Sequence, residues 1–344
     1  MTRLGTVLFC TSIAISSSAF AQPTLYVAGY GGSFQVTMQK SIIPAFEAKN
    51  NVKVVYVPGR SVETVAKLQA QKSNEEINVA IADDGPMYQA VQYGLCDPLA
   101  NSPVYEDIYK AAAPAAFGGK AVGVGLVATG IVYNTKVFKE KGWAPPTSWK
   151  DLTDPKFKQR VASSPISGTY GLHALVMFAR MNGGGEHNIQ PGFEAIRKNL
   201  SPNVFAWTSN NQQLENMFQG GDVVIAVWGT IRATELEKTG VPVKFVYPKE
   251  GAVALTAAVC PVVHNKLPKL SQAFVQYLMS PEVQAKLATL GFGPTNSKTK
   301  LSAELAAEVP YGTEKISKLQ TVDWNVINRR RAAWTDEWNR TVER

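Results

Sequence analysis

An α/β fold divided into two lobes is what this sequence predicts, and three observations carry it. From 24 to 91, short apolar runs alternate with stretches of helical period, the βαβαβ order that builds a parallel sheet with right-handed crossovers. A second αβ series begins at Val161, after a loop-rich stretch. The chain has 344 residues, too many for one simple core, so two lobes are the natural division.

The elements follow in order. Residues 1–21 read as an export signal: Arg3 supplies the positive end, 7–15 is mostly apolar, and Ala19-Phe20-Ala21 ends in the small-x-small pattern of a cleavage site. The apolar part is too short for a ~20-residue membrane crossing and breaks into Ser16-Ser17-Ser18. The mature chain is therefore expected to begin at about Gln22, outside the cytoplasm. A buried strand over 24–28 leads into Gly29-Tyr30-Gly31-Gly32-Ser33, and a helix follows in which Phe34, Met38, Ile42 and Phe46 recur every four residues. Ser33 suits the start of that helix, Gly31 and Gly32 let a ligand approach the backbone, and the helix dipole favours an anion there. The stretch is a poor match to the dinucleotide fingerprint, because Phe34 stands where the third glycine belongs.

Strands at 52–57 and 78–82 and a helix over 61–72 continue the pattern, and Pro86 fits the first turn of the next helix. On such sheets ligands sit at the carboxyl ends of the strands, which marks 30–33, 58–61 and 83–85. Two apolar runs, 121–127 and 130–133, precede the loop-rich 134–149. The polar loop 163–171 then feeds a helix that ends at Gly183-Gly184-Gly185. Helices at 210–219 and 230–238 alternate with strands at 223–228 and 243–247. The apolar run 252–263 is long enough to cross back to the first lobe, and amphipathic helices follow over 268–279 and 281–290. A terminal helix over 323–343 carries Trp324, Ile327, Arg331, Trp334 and Trp338 mostly on one side.

The formal charge of +8 comes from scattered basic residues. The one dense cluster, Arg329-Arg330-Arg331, reads as an exposed face of the terminal helix, so nucleic acid is not an expected partner. Cys96 and Cys260 remain after cleavage; an oxidising compartment permits a bridge, apolar surroundings equally suit two free thiols, and the sequence leaves both open. His173, His187 and His264 lack metal-ligand spacing, so neither metal nor cofactor is expected. No nucleophile elbow is present; an exported hydrolase would need a histidine, with His173 the candidate, within reach of Ser33, Ser167 or Thr169.

Several of these pieces together carry a family resemblance. The signal, Gly31-Gly32-Ser33, Thr129-Gly130-Ile131-Val132-Tyr133-Asn134 and Pro146-Thr147-Ser148-Trp149-Lys150-Asp151-Leu152 are four of them. Trp228-Gly229, Pro248-Lys249-Glu250-Gly251 and Ser280-Pro281-Glu282-Val283-Gln284 are the others. In order and spacing they resemble the periplasmic receptors of ABC importers related to polyamine- and ferric-iron-binding proteins, over nearly the whole mature chain. The resemblance implies the periplasmic-binding-protein fold, two αβ lobes joined by two crossings that close on a ligand by hinge motion. It places lobe 1 at 22–128 and 258–300, lobe 2 at 129–257, and C-terminal helices packing on the lobes over 301–344. It also implies a monomer that takes a small molecule to a membrane permease and performs no catalysis.

The residues narrow the ligand. Aligned with the polyamine-binding branch, that branch's acids fall on Gly168, Gly171 and Ala257, and an aromatic wall falls on Leu255. A buried diamine without carboxylates leaves unpaired charge, although Asp83 and Asp84 remain available to an ammonium group. The iron-binding branch supplies adjacent tyrosines, and this chain has no Tyr-Tyr pair. The presumed cleft keeps Ser33, Ser61, Ser167, Thr169 and the Gly31-Gly32 backbone as donors, Arg60 and Arg232 for two-pronged contacts, and Tyr30, Tyr170 and Trp228 as walls. The expectation is a small zwitterion bearing a carboxylate or phosphonate, ω-amino acid-like, with a putrescine or spermidine receptor as the alternative. Surface solvation for the two arginines, a core role for Trp228 and a helix-capping role for Asp84 stay open beside it.

Overall fold

A computed structural model gives the fold and describes residues 22–72 and 76–343, so the expected export signal lies outside the described residues. The first strand, β1 (Thr24–Gly29), pairs in parallel with β2 (Lys53–Pro58) and β3 (Val79–Asp83), as the βαβαβ alternation requires. A second parallel group is formed by β5 (Val161–Ser163) between β6 (Val204–Trp207) and β7 (Ile225–Gly229). Between these groups run two long buried strands, β4 (Val122–Asn134) and β9 (Val253–Pro261), antiparallel to each other, with the short β8 (Val243–Val246) on the far half of β4.

The strand order is β2-β1-β3-β9-β4-β7-β5-β6, so the two parallel groups form one continuous sheet. The two 121–133 runs read from the sequence are a single strand, because Ala128-Thr129 stays extended and paired. Thr129 is where β4 changes partners: it faces Val253 of β9 on one side and Gly229 of β7 on the other. Its hydroxyl meets His173 Nδ1 at 2.9 Å, and the neighbouring Ala128 amide donates to Thr230 Oγ1. The C-terminal segment also joins this point, with Gln320 bridged in parallel to Val253.

The first lobe's core gathers Leu25, Val27, Phe34, Met38, Ile42 and Phe46 against Phe274 and Leu278. The helix after β1 has a π-helical segment, Met38–Ile42, between Ser33–Thr37 and Ile43–Asn50. A strict four-residue repeat drifts around a 3.6-residue helix, and the wider π turn brings all four apolar residues back to the buried side. Cys96 and Cys260 form a disulfide, with Cα atoms 5.7 Å apart, tying the loop after the helix Asp84–Gln92 to the end of β9.

The C-terminal helix Trp324–Thr341 lies against both lobes. Trp334 and Trp338 enter the second-lobe core, where Trp338 meets the Trp207 ring edge-on at 4.9 Å. Trp324 packs over Gly85 of the first lobe so closely that a Cβ there would come within 2.6 Å of its ring, and Asn328 Nδ2 donates to the Gly85 carbonyl. Among the described residues no helix is long and apolar enough to cross a membrane.

Candidate functional site

A cavity of about 390 Å³ opens between the lobes. The first lobe contributes Tyr30-Gly31-Gly32-Ser33 and Phe34, Gly59 to Val62, and Asp83 with Pro86. The second contributes Ser164, Ser167 to Tyr170, Ser209, Asn211, Ile231, Arg232 and Glu235. Val127 and Leu255 of the two long strands line it with Phe292, and Arg331 of the C-terminal helix joins the wall.

These positions follow from the local fold. The tips of β1, β2 and β3 all face the gap because parallel strands present their carboxyl ends together. Two helices that start on the cavity wall, at Ser33 and Thr169, have glycine N-caps: Gly32 and Gly168. Neither has a side-chain cap on its first turn, so no Ser or Asp side chain occupies the N–H groups of these helix starts. Gly32 holds φ +65°, a value that glycine adopts without strain, and Gly229 leaves room for the Tyr170 phenol.

Asp83 is the polar centre. Tyr30 Oη donates to its Oδ1 at 2.8 Å and Thr169 Oγ1 to its Oδ2 at 3.2 Å, the second bond running between lobes. Burial raises its pKa, against the lowering effect of these hydroxyls, Ser61 and the Arg232 charge. A second polar link across the gap joins the Ser33 hydroxyl to the Glu235 carboxylate. Glu235 also pairs with Arg232 at 2.5 Å, while Arg232 Nε is buried with no partner. Arg60, at the rim, is 65% exposed and only loosely paired with Glu63 at 3.8 Å.

Eleven of the thirteen residues expected at the site line this cavity: Tyr30, Gly31, Gly32, Ser33, Arg60, Ser61, Asp83, Ser167, Thr169, Tyr170 and Arg232. Asp84 and Trp228 do not. Consecutive residues at a strand end point to opposite sides, so Asp84 turns inward and accepts the amides of Thr256 and Gly85. Burial pushes its pKa up to about 7. Trp228 is buried against Phe218, its ring stacked at 6.1 Å and its indole N–H on Asn211 Oδ1. His173 is buried at the Thr129 junction, and its Nδ1 is bonded to the Thr129 hydroxyl and not to Ser33, Ser167 or Thr169, the hydroxyls a hydrolase would use.

Sequence reasoning passed over Glu235 and Arg331. Glu235 lies three residues after Arg232, on the same helix face. Arg331 occupies the middle of the stripe Trp324, Ile327, Arg331, Trp334, Trp338, whose other members are buried. That spacing corrects the reading of all three clustered arginines as an exposed face, since Arg331 turns to the cavity and donates to the Ser167 carbonyl at 2.9 Å.

A cavity between two αβ lobes, lined by polar groups from both, is the arrangement of a receptor that encloses a small solute. The chain belongs to the bacterial extracellular solute-binding protein family, whose model matches residues 41–312. It is a solute-binding receptor of the kind that serves ABC importers, and this family is not one of enzymes. An uncharacterized protein of Haemophilus influenzae is 30% identical over 72% of this chain and 70% of its own length. The spermidine/putrescine-binding periplasmic protein 1 of the same organism is 26% identical, covering 78% and 74%. Among solved structures, an ABC transporter protein from Clostridium perfringens superposes with a TM-score of 0.78 at 25% identity, over 92% of this chain and 99% of that one.

Proposed function

We propose that this receptor captures a small zwitterion bearing a carboxylate or phosphonate, ω-amino acid-like, in the periplasm and delivers it to the permease of an ABC importer. It acts as a monomer, its export signal is removed near Ala21, and its ligand-contacting residues are the cavity-lining ones named above. The lobes close about Thr129 and the return crossing. That crossing, expected near Ala258, is proposed to fall at the start of β9, because Val253 pairs with Thr129, where β4 changes partners.

One observation carries the ligand reading: two helix starts with glycine caps and no side-chain cap, at Ser33 and Thr169, converge on one cavity. Each presents free amide hydrogens and the positive end of its dipole, an arrangement that favours an anion. The charged side chains agree, with three arginines around the cavity against two carboxylates. Asp83 and Glu235 offer an ammonium group its partners.

The relatives named for spermidine and putrescine support a second reading, a polyamine receptor using the same two carboxylates. Against it, an acid cannot occupy position 171 on this backbone, since a Cβ there would lie 2.1 Å from the Ser164 carbonyl oxygen. A thermal-shift screen of the mature protein separates the two. A ligand at a hundred times its Kd stabilises by about 2.7 kcal/mol, a shift of several degrees. ω-Amino acids, aminophosphonates or small organic acids are expected to give that shift; a response to polyamines alone contradicts the proposal.

A further inference from the structure

We infer that Arg331, on the C-terminal helix, is the residue that selects for the ligand's acid group, so that ligand recognition draws on a third segment of chain besides the two lobes. The inference rests on the proposed zwitterion reading and deepens it.

The three cavity arginines are not equivalent. Arg60 sits in solvent at the rim, and Arg232 is neutralised by Glu235 at 2.5 Å. Arg331 is half-buried, donates to the uncharged Ser167 carbonyl, and has no carboxylate within salt-bridge distance among the described residues. Burial pulls its pKa down, with the Asp83 charge acting the other way. A guanidinium half withdrawn from water, with no carboxylate within salt-bridge distance, is costly to the empty protein. A bound carboxylate or phosphonate supplies the missing charge, and a planar fork suits either acid.

The helix holds Arg331 in place from both ends. Toward its start, Trp324 packs on Gly85 and Gln92 Nε2 donates to Asn325 Oδ1, both on the first lobe. Toward its end, Trp338 lies in the second-lobe core and Gln190 Nε2 donates to Glu337 Oε2. An acid group that pairs with Arg331 therefore engages a helix already docked on both lobes.

The test compares the wild-type receptor with Arg331→Met and Arg331→Glu by calorimetric titration with 4-aminobutyrate, 2-aminoethylphosphonate and putrescine, and by melting without ligand. Removing a charge-assisted contact should weaken whichever acid the wild type takes up by about ten- to a hundredfold in Arg331→Met. The Arg331→Glu protein should lose the acid further and gain affinity for putrescine. Melting of the empty Arg331→Met protein should stay level or rise, because an unpaired charge has been removed. Acid binding that survives Arg331→Met, or a fall of several degrees in its melting temperature, overturns the inference and leaves the zwitterion reading standing. A wild type that takes up neither acid overturns both.

Discussion

Asp83 and Asp84 are neighbours with opposite surroundings: one faces the cavity under two hydroxyls, the other is sealed beneath β9. The sealed carboxyl carries a consequence for pH. Its pKa of about 7 lies above that of an unfolded aspartate, so its contribution to stability is full at low pH and fades as pH rises toward 7. His173, buried at the Thr129 junction, runs the other way: burial lowers its pKa to about 3, so its contribution is present above about 6.5 and is lost as pH falls toward 3. Between roughly pH 4 and 6.5 the two slopes oppose, each at most about 1.4 kcal/mol per unit. Urea unfolding of His173→Gln should therefore show stability falling as pH rises through this window, and Asp84→Asn the reverse. Two variants that keep one common pH profile would contradict the assignment. Much of the cavity was legible at this scale because strand tips and helix starts announce themselves through glycine, serine and proline. Asp84 and Trp228 were not, because the sequence says that a residue ends a strand but not which side it takes.

The C-terminal helix shows what periodicity can and cannot reveal. Its tryptophans recur at the spacing of a buried stripe, and the structure buries Trp324, Trp334 and Trp338 to 5% exposure or less. What the period does not name is the partner, here both lobes at once. Trp338→Ala is expected to cost about 3–5 kcal/mol in urea unfolding, as for a large buried aromatic, while leaving the cavity's own residues in place. Gly85→Ala tests the other end of the same helix. Its methyl would press on the Trp324 ring, a strain of about 1–3 kcal/mol that should appear as a lower melting temperature. Unchanged melting in Gly85→Ala would mean that the helix end shifts freely instead of clamping the first lobe.

At the scale of the molecule, the alternation of strands and helices predicted the αβ organisation, and the long antiparallel pair β4 and β9 turns it into a continuous sheet. Continuity at Thr129 depends on hydrogen-bond pairing between distant segments, which no local pattern encodes. The disulfide was likewise undecided by the sequence, since Cys96 and Cys260 stand 164 residues apart and only the fold brings them together. Closing so long a loop should stabilise the protein by about 2–5 kcal/mol, read as the loss in urea unfolding of a Cys96→Ala, Cys260→Ala double variant. An undiminished transition in that variant would show that the bridge contributes nothing. The most direct test of the central claim is a crystal structure of the receptor purified from its host without stripping its ligand. The account predicts density for one small molecule between Ser33 and Thr169, its acid group facing the glycine-capped helix starts. A linear diamine with its ammonium ends on Asp83 and Glu235 would contradict it.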